Sequence, residues 1–321
     1  MAIPAAFLAV ITDSEFASDE PERRELDGLA EVRRHSCVSE EEVIAAAARA
    51  DAILVQYAPI TRRVIESLLQ CRVIARYGIG VDMIDLDAAR RREIQVVHVP
   101  DYCVEEVSDH TMALMLAASR KLLLLHRSVA EGHWHFSVAA PIQRFQDLTV
   151  GLLGFGKIAR RIAEKLKPFG CRILTCDPYA QEPAVRSQGV ELVGVEALLG
   201  DSDIISIHAP LTAQTRHLLD WDAFGKMRRK PILVNTSRGA VIDESALVRA
   251  LDAGLVAGAA LDVLEEEPIG AGNRLVGRDN VLLTPHSAFY SVGSLHQLQV
   301  LTARGAAQVL RGEKPQYPVA G

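Results

Sequence analysis

Gly151-Leu152-Leu153-Gly154-Phe155-Gly156-Lys157 decides how this chain is read. An apolar run leads into two closely spaced glycines, and a helix-like run, Lys157–Leu166, follows at once. The next apolar run, Arg172–Cys176, is closed by an acid, Asp177, 23 residues beyond Gly154. Strand, glycine turn, helix, strand and terminal acid is the order of a dinucleotide-binding turn, whose acid falls about 20 residues on. Gly154 permits the tight turn. Gly156 has no Cβ, so the backbone at Phe155 and Gly156 can approach a pyrophosphate. The helix opening at Lys157 and Ile158 offers unpaired N–H groups and the positive end of its dipole. The third glycine of the fingerprint is replaced by Ala159, which is tolerable because that position only packs helix against strand. Asp177 can accept both ribose hydroxyls and would repel a 2′-phosphate, so NAD is expected over NADP. A glycine-rich turn that binds nothing is the competing reading.

The position of this stretch matters as much as its content. A cofactor unit starting near residue 150 leaves the first half of a 321-residue chain to something else, and that length suffices for two cores. Strand-like runs at 7–12, 52–56, 72–76 and 96–99 alternate with helical runs at 21–30, 40–49, 62–69 and 87–92. A long helix is expected over 104–131, ended by Gly132, and then an aperiodic segment, 133–148. Seven more strand-like runs follow, at 150–153, 172–176, 192–193, 204–208, 232–235, 257–262 and 281–284. A final helix, 294–310, arrives after the second sheet is finished and so is expected to return to the first unit. The fold class is α/β: two Rossmann-like or flavodoxin-like domains with parallel sheets. The dinucleotide domain, 104–287, is inserted in a discontinuous domain of 1–103 and 288–321.

Composition narrows the function. A hydrophobic fraction of 49% and a charged fraction of 24% are those of a soluble globular protein. The net charge of -6 disfavours nucleic acid, and no basic stripe with interleaved aromatics is present. Residues 1–12 lack a basic leader and read as a strand, not a signal peptide. The apolar run 111–125 is interrupted by Arg120 and Lys121 and is too short for a bilayer span. Five cysteines at unrelated spacings argue for reduced thiols in a cytoplasmic protein and against a metal site.

Three later segments end strand-like runs, where ligands of open α/β sheets bind. They are Asn235-Thr236-Ser237-Arg238-Gly239, Leu261-Asp262-Val263-Leu264-Glu265-Glu266-Glu267-Pro268 and Thr284-Pro285-His286-Ser287. Together they supply a fixed cation, a carboxylate and a histidine, which suits reduction of a 2-oxo acid. Arg238 can hold the substrate carboxylate bidentately. His286 is the residue type that gives and takes protons near neutrality. Glu267 beside it would favour the charged imidazolium and fix its tautomer. Each has an ordinary reading too: a surface ion pair for Arg238, a solvated acidic turn for Glu267, a capping or core histidine for His286. Their joint placement after the glycine turn favours chemistry.

On these motifs, with Gly78-Ile79-Gly80-Val81-Asp82, the chain resembles the D-isomer-specific 2-hydroxyacid dehydrogenase family over nearly its whole length. The resemblance implies Arg238 as carboxylate anchor, His286 as proton donor in reduction and Glu267 as its partner. It implies Asp262 at the nicotinamide end, Ala209, Pro210 and Thr215 along the adenosine, and Thr236, Ser237 and Ala288 as further cofactor contacts. The Glu267–His286 pair argues against the formate dehydrogenase branch, which has Gln at that place. The nearest resemblance is to bacterial relatives of the C-terminal-binding protein branch, through Val55-Gln56-Tyr57-Ala58-Pro59, Ala75-Arg76-Tyr77-Gly78 and Pro100-Asp101-Tyr102-Cys103. Tyr57 and Arg76 would then reach the substrate, and the N–H groups of Gly78, Ile79 and Gly80 could form an anion nest. Phe289 stands where that branch usually has Trp, which alters the pocket wall.

Phosphoglycerate dehydrogenases are similar too, but carry basic residues in the loop matching Gln56-Tyr57-Ala58-Pro59, and here that loop is uncharged. Glyoxylate, hydroxypyruvate or a larger 2-oxo acid is therefore the expected substrate. The alternatives are a D-3-phosphoglycerate dehydrogenase lacking a regulatory domain, none being expected before Gly321, and an NAD(H)-sensing interaction protein. The resemblance also implies a homodimer exchanging the 104–131 helix and the 133–148 arm, where Trp134, Phe136, Val138 and Phe145 need burial. Hinges are expected near Cys103 and His286–Phe289, closing a cleft against water.

Overall fold

The structure is a computed structural model that describes residues 6–319. The expectations for the first five residues and for the chain end at Gly321 lie outside the described residues. The chain forms two compact units, Met1–Cys103 with Ser291–Gly321, and Val104–Tyr290.

In the first unit the elements are β1 (Phe7–Ile11), α1 (Glu20–Glu25), β2 (Ala30–Arg34), α2 (Glu40–Ala47), β3 (Ala52–Val55), α3 (Arg62–Ser67), β4 (Val73–Arg76), α4 (Leu86–Arg91) and β5 (Gln95–Val97). The strands pair in parallel in the order β2-β1-β3-β4-β5. Every residue of β3 is buried, as expected of a strand covered on both faces. Its Ile53 and Val55 share one apolar core with Val10, Val43, Ile65, Ile74 and Val96. The pattern reading misses β2 and extends the first helix into it. Only Ala30 and Val32 of this strand point inward, while Glu31, Arg33 and Arg34 face out. An edge strand with charges on its outer face is protected against stray pairing, and for that reason it does not look like a strand in sequence.

The second unit contains α5 (Val104–Ser119), α6 (Leu122–Ala130), β6 (Thr149–Leu153), α7 (Lys157–Leu166), β7 (Arg172–Cys176), α8 (Glu182–Arg186), β8 (Glu191–Leu192), α9 (Val195–Asp201), β9 (Ile204–Ile207), α10 (Trp221–Gly225), β10 (Ile232–Asn235), α11 (Glu244–Asp252), β11 (Gly258–Leu261) and β12 (Val281–Leu283). Its strands pair in parallel in the order β12-β11-β10-β9-β6-β7-β8. The strand order therefore reverses between β6 and β9, as it does between β1 and β3 in the first unit. Crevices at such reversals are where open α/β sheets bind ligands.

Two boundaries differ from expectation. The long helix is two helices, because Lys121 takes a left-handed conformation (φ 52°) between α5 and α6. The second unit runs to Tyr290, not 287. The amides of Ser287 and Ala288 are held by Asp262 at the end of β11, and Tyr290 N–H donates to the Ser287 carbonyl at 2.9 Å. The last helix, α12 (Val292–Leu310), begins at a capping box in which Ser291 and Ser294 bond each other's amides. It belongs to the first unit and packs on α1, β3, β4 and β5.

Candidate active site

The glycine turn leaves β6 at the reversal of the second sheet. Gly154 has φ 95°, and a Cβ there would lie 2.9 Å from the His208 carbonyl carbon, so the turn needs glycine twice over. Gly156 is the N-cap of α7 and has no side chain to cap it. A Cβ on Gly156 would meet nothing within 4 Å. The open space and the uncapped first turn, from Lys157 and Ile158 onward, fit a pyrophosphate. Ala159 is fully buried in the helix–sheet core, the packing role its place in the motif requires.

Asp177 follows β7. Its carboxylate accepts the Phe155 amide at 2.8 Å through Oδ2 and the Tyr179 amide at 2.8 Å through Oδ1. The acid therefore also pins the glycine turn. Across the reversal, His208 bonds Ser206 Oγ at 2.8 Å through Nε2, and burial pushes it down to about 3, so it stays neutral beside the turn. Ala209 is buried. Thr215 donates its hydroxyl to the Pro210 carbonyl and accepts the Thr212 amide, which folds 210–215 into a compact turn.

The other half of the site gathers at the ends of β10, β11 and β12. Asn235 is fully buried; it donates to the Arg238 carbonyl at 2.9 Å and accepts the Ser237 amide at 3.0 Å, shaping the Thr236–Arg238 turn. Thr236 bonds Thr111 of α5 at 2.8 Å. Arg238 donates to the Ser237 carbonyl at 2.8 Å. Gly239 packs so closely that a Cβ there would lie 1.9 Å from the carbonyl of Leu264. That contact seats the loop carrying Glu267 directly beside Arg238.

Glu267 Oε2 bonds His286 Nδ1 at 2.6 Å, and Glu267 Oε1 accepts the Leu264 amide at 2.9 Å. Partial burial works to raise the Glu267 pKa. The bonds from His286 and Leu264, with the charges of His286 and Arg238, outweigh it and hold the carboxyl below its ordinary value. The His286 side chain is 44% exposed, and its Nδ1 is engaged by Glu267. The Phe289 ring meets His286 edge-on, with centroids 6.3 Å apart.

Asp262 lies beneath the His286 loop. It is 2% exposed, and its carboxylate accepts the Thr284 hydroxyl at 2.5 Å and the amides of Ser287 and Ala288, each at 2.9 Å. Its visible work is to hold the His286 loop, and the Ala288 amide is spent on it. Two further histidines escape spacing arguments. His110 of α5 bonds Thr284 Oγ1 at 3.0 Å, and His217 bonds Glu265 Oε1 at 2.6 Å. Glu265 in turn accepts the first amide of α11. The only sequence signal for either is a histidine on a helix or turn beside the motifs.

In the first unit, Tyr57 and Arg76 follow β3 and end β4. The Gly78 amide is spent on the Arg76 carbonyl at 3.0 Å, because the chain turns back there with Gly78 at φ 133°. The Gly78 amide is therefore already engaged within the turn expected to form the nest. A Cβ on Gly78 would strike the Arg76 guanidinium, so this glycine makes room for that side chain. Asp13, after β1, holds the amides of Gln56, Tyr57 and Ala58 at 3.2, 2.5 and 3.2 Å.

The family model for the D-isomer specific 2-hydroxyacid dehydrogenase NAD binding domain matches residues 112–288. This chain belongs to the D-isomer-specific 2-hydroxyacid dehydrogenase family. Among its members, a glyoxylate reductase of Korarchaeum cryptofilum is 38% identical over 260 residues, 80% of this chain and 78% of that protein. A D-3-phosphoglycerate dehydrogenase of Methanocaldococcus jannaschii is 37% identical over 290 residues, 90% of this chain but only 55% of that protein. The chain thus spans about half the length of that phosphoglycerate dehydrogenase. The crystal structure of D-lactate dehydrogenase from Aquifex aeolicus, complexed with NAD and lactic acid, superposes with a TM-score of 0.85 at 28% identity, covering 95% of this chain and 96% of that one. As a 2-hydroxyacid dehydrogenase the chain is an NAD-dependent oxidoreductase with two parallel-sheet α/β domains. No helix among the described residues is long and apolar enough to cross a membrane.

Proposed function

We propose that this dehydrogenase interconverts a small, unphosphorylated 2-oxo acid of the glyoxylate or hydroxypyruvate type, or a larger one, and its D-2-hydroxy acid, with His286 as general acid and base. The observation that carries the reading is the 2.6 Å bond between Glu267 Oε2 and His286 Nδ1. It leaves Nε2–H to protonate the carbonyl oxygen in reduction and to take the proton back in oxidation. NADH held in this site would supply the hydride. Arg238 pairs with the substrate carboxylate and polarises the adjacent carbonyl. Glu267 stabilises the imidazolium and orients the ring, much as a carboxylate does for a triad histidine.

For the cofactor, Gly154 to Ile158 bind the pyrophosphate and Asp177 the adenosine ribose. Ala209, Pro210 and Thr215 line the adenosine, and Thr236, Ser237, Asp262 and Ala288 shape the nicotinamide end. Substrate contacts in the first unit are Tyr57, Arg76 and the Gly78–Gly80 turn, with Phe289 from the second. The 56–58 loop favours an unphosphorylated substrate. Its three amides already hold the Asp13 carboxylate, and Glu15 lies 3.4 Å from the Tyr57 hydroxyl. A phosphate there would meet the Asp13 and Glu15 carboxylates as well as the Arg76 charge that acts on Tyr57.

A homodimer is part of this reading. Trp134 and Phe136, on the segment after α6, are 88% and 81% exposed, which is costly for side chains of that size unless a partner covers them.

The test is a steady-state panel of 2-oxo acids with NADH, followed by His286→Ala. Turnover is expected for glyoxylate or hydroxypyruvate, with a lower kcat/KM for phosphohydroxypyruvate. His286→Ala is expected to lose about 10²–10⁴-fold in kcat while keeping its affinity for NADH. Normal turnover in that variant would remove His286 from the mechanism. NADH binding that alters assembly, with no turnover of any 2-oxo acid, would favour a nucleotide-sensing interaction protein of the C-terminal-binding protein kind.

A further inference from the structure

We propose that His110 is a positioning residue for the loop that carries His286, acting through Thr284 and Asp262. This rests on the reading of His286 as proton donor.

The direction of the chain of bonds follows from its members. Thr284 Oγ1 lies 2.5 Å from Asp262 Oδ1, and a carboxylate only accepts, so the threonine proton points to Asp262. The lone pairs of Thr284 then face His110 Nε2 at 3.0 Å, so His110 donates. His110 Nε2 is also 3.5 Å from Asp262 Oδ1 itself. From there Asp262 grips the loop three times. Its carbonyl accepts the His286 amide at 2.8 Å, and its carboxylate accepts the amides of Ser287 and Ala288.

The grip matters because His286 sits at φ 49°, in the left-handed region that a non-glycine residue keeps only where its surroundings impose it. Three consecutive amides held by one residue impose it. Asp262 in turn needs its Oδ1 fixed, and the Thr284–His110 arm does this from α5, a different element. α5 begins at Val104, where the chain enters the second unit, and the gripped loop ends at Tyr290, where the chain leaves it. His110 therefore ties the entry helix to the exit loop within that unit, next to the proposed proton donor. Neither His110 nor Thr284 is assigned to touch substrate in this scheme.

The experiment compares His110→Leu, His110→Gln and Thr284→Val with wild type. In His110→Leu, kcat for 2-oxo acid reduction is expected to fall about tenfold to 100-fold, the range for a small misplacement of a reacting group, with KM little changed. Gln retains an N–H donor near the position of Nε2, so His110→Gln is expected to restore most of the rate. The double variant His110→Leu with Thr284→Val is expected to be no worse than the poorer single one, because the two residues form one arm. In the cofactor-free protein, the imidazole resonances of His286, identified by their loss in His286→Ala, are expected to shift in His110→Leu and to recover in His110→Gln. Turnover within twofold of wild type in His110→Leu, additive losses, or unchanged His286 resonances would each overturn the proposal. The resonance arm stands even if His286 proves dispensable for turnover, so failure of the mechanism and failure of the coupling are distinguishable. Should His110→Leu not fold, the near-isosteric Thr284→Val carries the same comparison.

Discussion

Gly239 has no slack. A Cβ at this position would sit 1.9 Å from the Leu264 carbonyl and 2.5 Å from the Glu265 amide, all backbone atoms. Gly239→Ala must therefore push the Glu267 loop or Arg238 aside. The expected cost is about 1–3 kcal/mol of folding stability, with a matching fall in kcat, read by urea unfolding and steady-state kinetics. Gly156→Ala is the contrasting case. Nothing would oppose its Cβ in the fold, so stability is expected to hold while the Kd for NADH rises; equal loss of stability in both variants would contradict the distinction. Gly154, Gly156 and Asp177 are legible in the sequence because a tight turn and a strand-end acid depend on short spacings. The Arg238, Glu267 and His286 trio is legible by residue type and by its place at strand ends. His110 is not, since its partner Thr284 lies 174 positions away. Asp262 was legible as important, but its work in holding the His286 loop is visible only once the amides of 286–288 are seen around it.

At the scale of elements, the first unit is tied together by a buried acid. Glu22 of α1 is 1% exposed, accepts the Tyr77 hydroxyl at 2.8 Å just beyond β4, and accepts Gln299 Nε2 of α12 at 3.0 and 3.1 Å. Burial raises its pKa despite those bonds. The folded state therefore holds the Glu22 proton at pH values where the unfolded chain has released it. Stability from this group is fully present below the ordinary carboxylate value near 4.5 and is lost as pH rises through the raised folded value. Urea midpoints measured across that window are expected to drift downward, and Glu22→Gln is expected to remove the drift. An unchanged slope in the variant would assign it to another group. The elements least legible in sequence are those whose pattern is set by exposure or by a single dihedral. Edge strand β2 carries charges, and the break between α5 and α6 hangs on Lys121 in a conformation that a helical pattern does not encode.

For the whole molecule, the exposed aromatics bear on assembly. Of the four apolar residues expected to need burial in the 133–148 segment, Phe145 is partly buried within its own unit, against Phe169 with ring centroids 5.1 Å apart. Trp134 and Phe136 are not, and Val138 stays partly exposed. Trp134→Glu with Phe136→Glu is expected to convert a homodimer to monomers in sedimentation experiments, with the fold by circular dichroism intact. A wild-type protein that is already monomeric would refute the homodimer. Hydrophobic periodicity, the glycine turn and its mid-chain position were enough to specify two parallel α/β units and an inserted NAD domain, because these follow from local pattern and chain order. The partnerships of Asp13, His110, His217 and Asp262, the spent amide of Gly78 and the unit boundary at Tyr290 were decided only by folding. Each depends on which backbone N–H or carbonyl another segment brings within about 3 Å, and no spacing along the chain carries that distance.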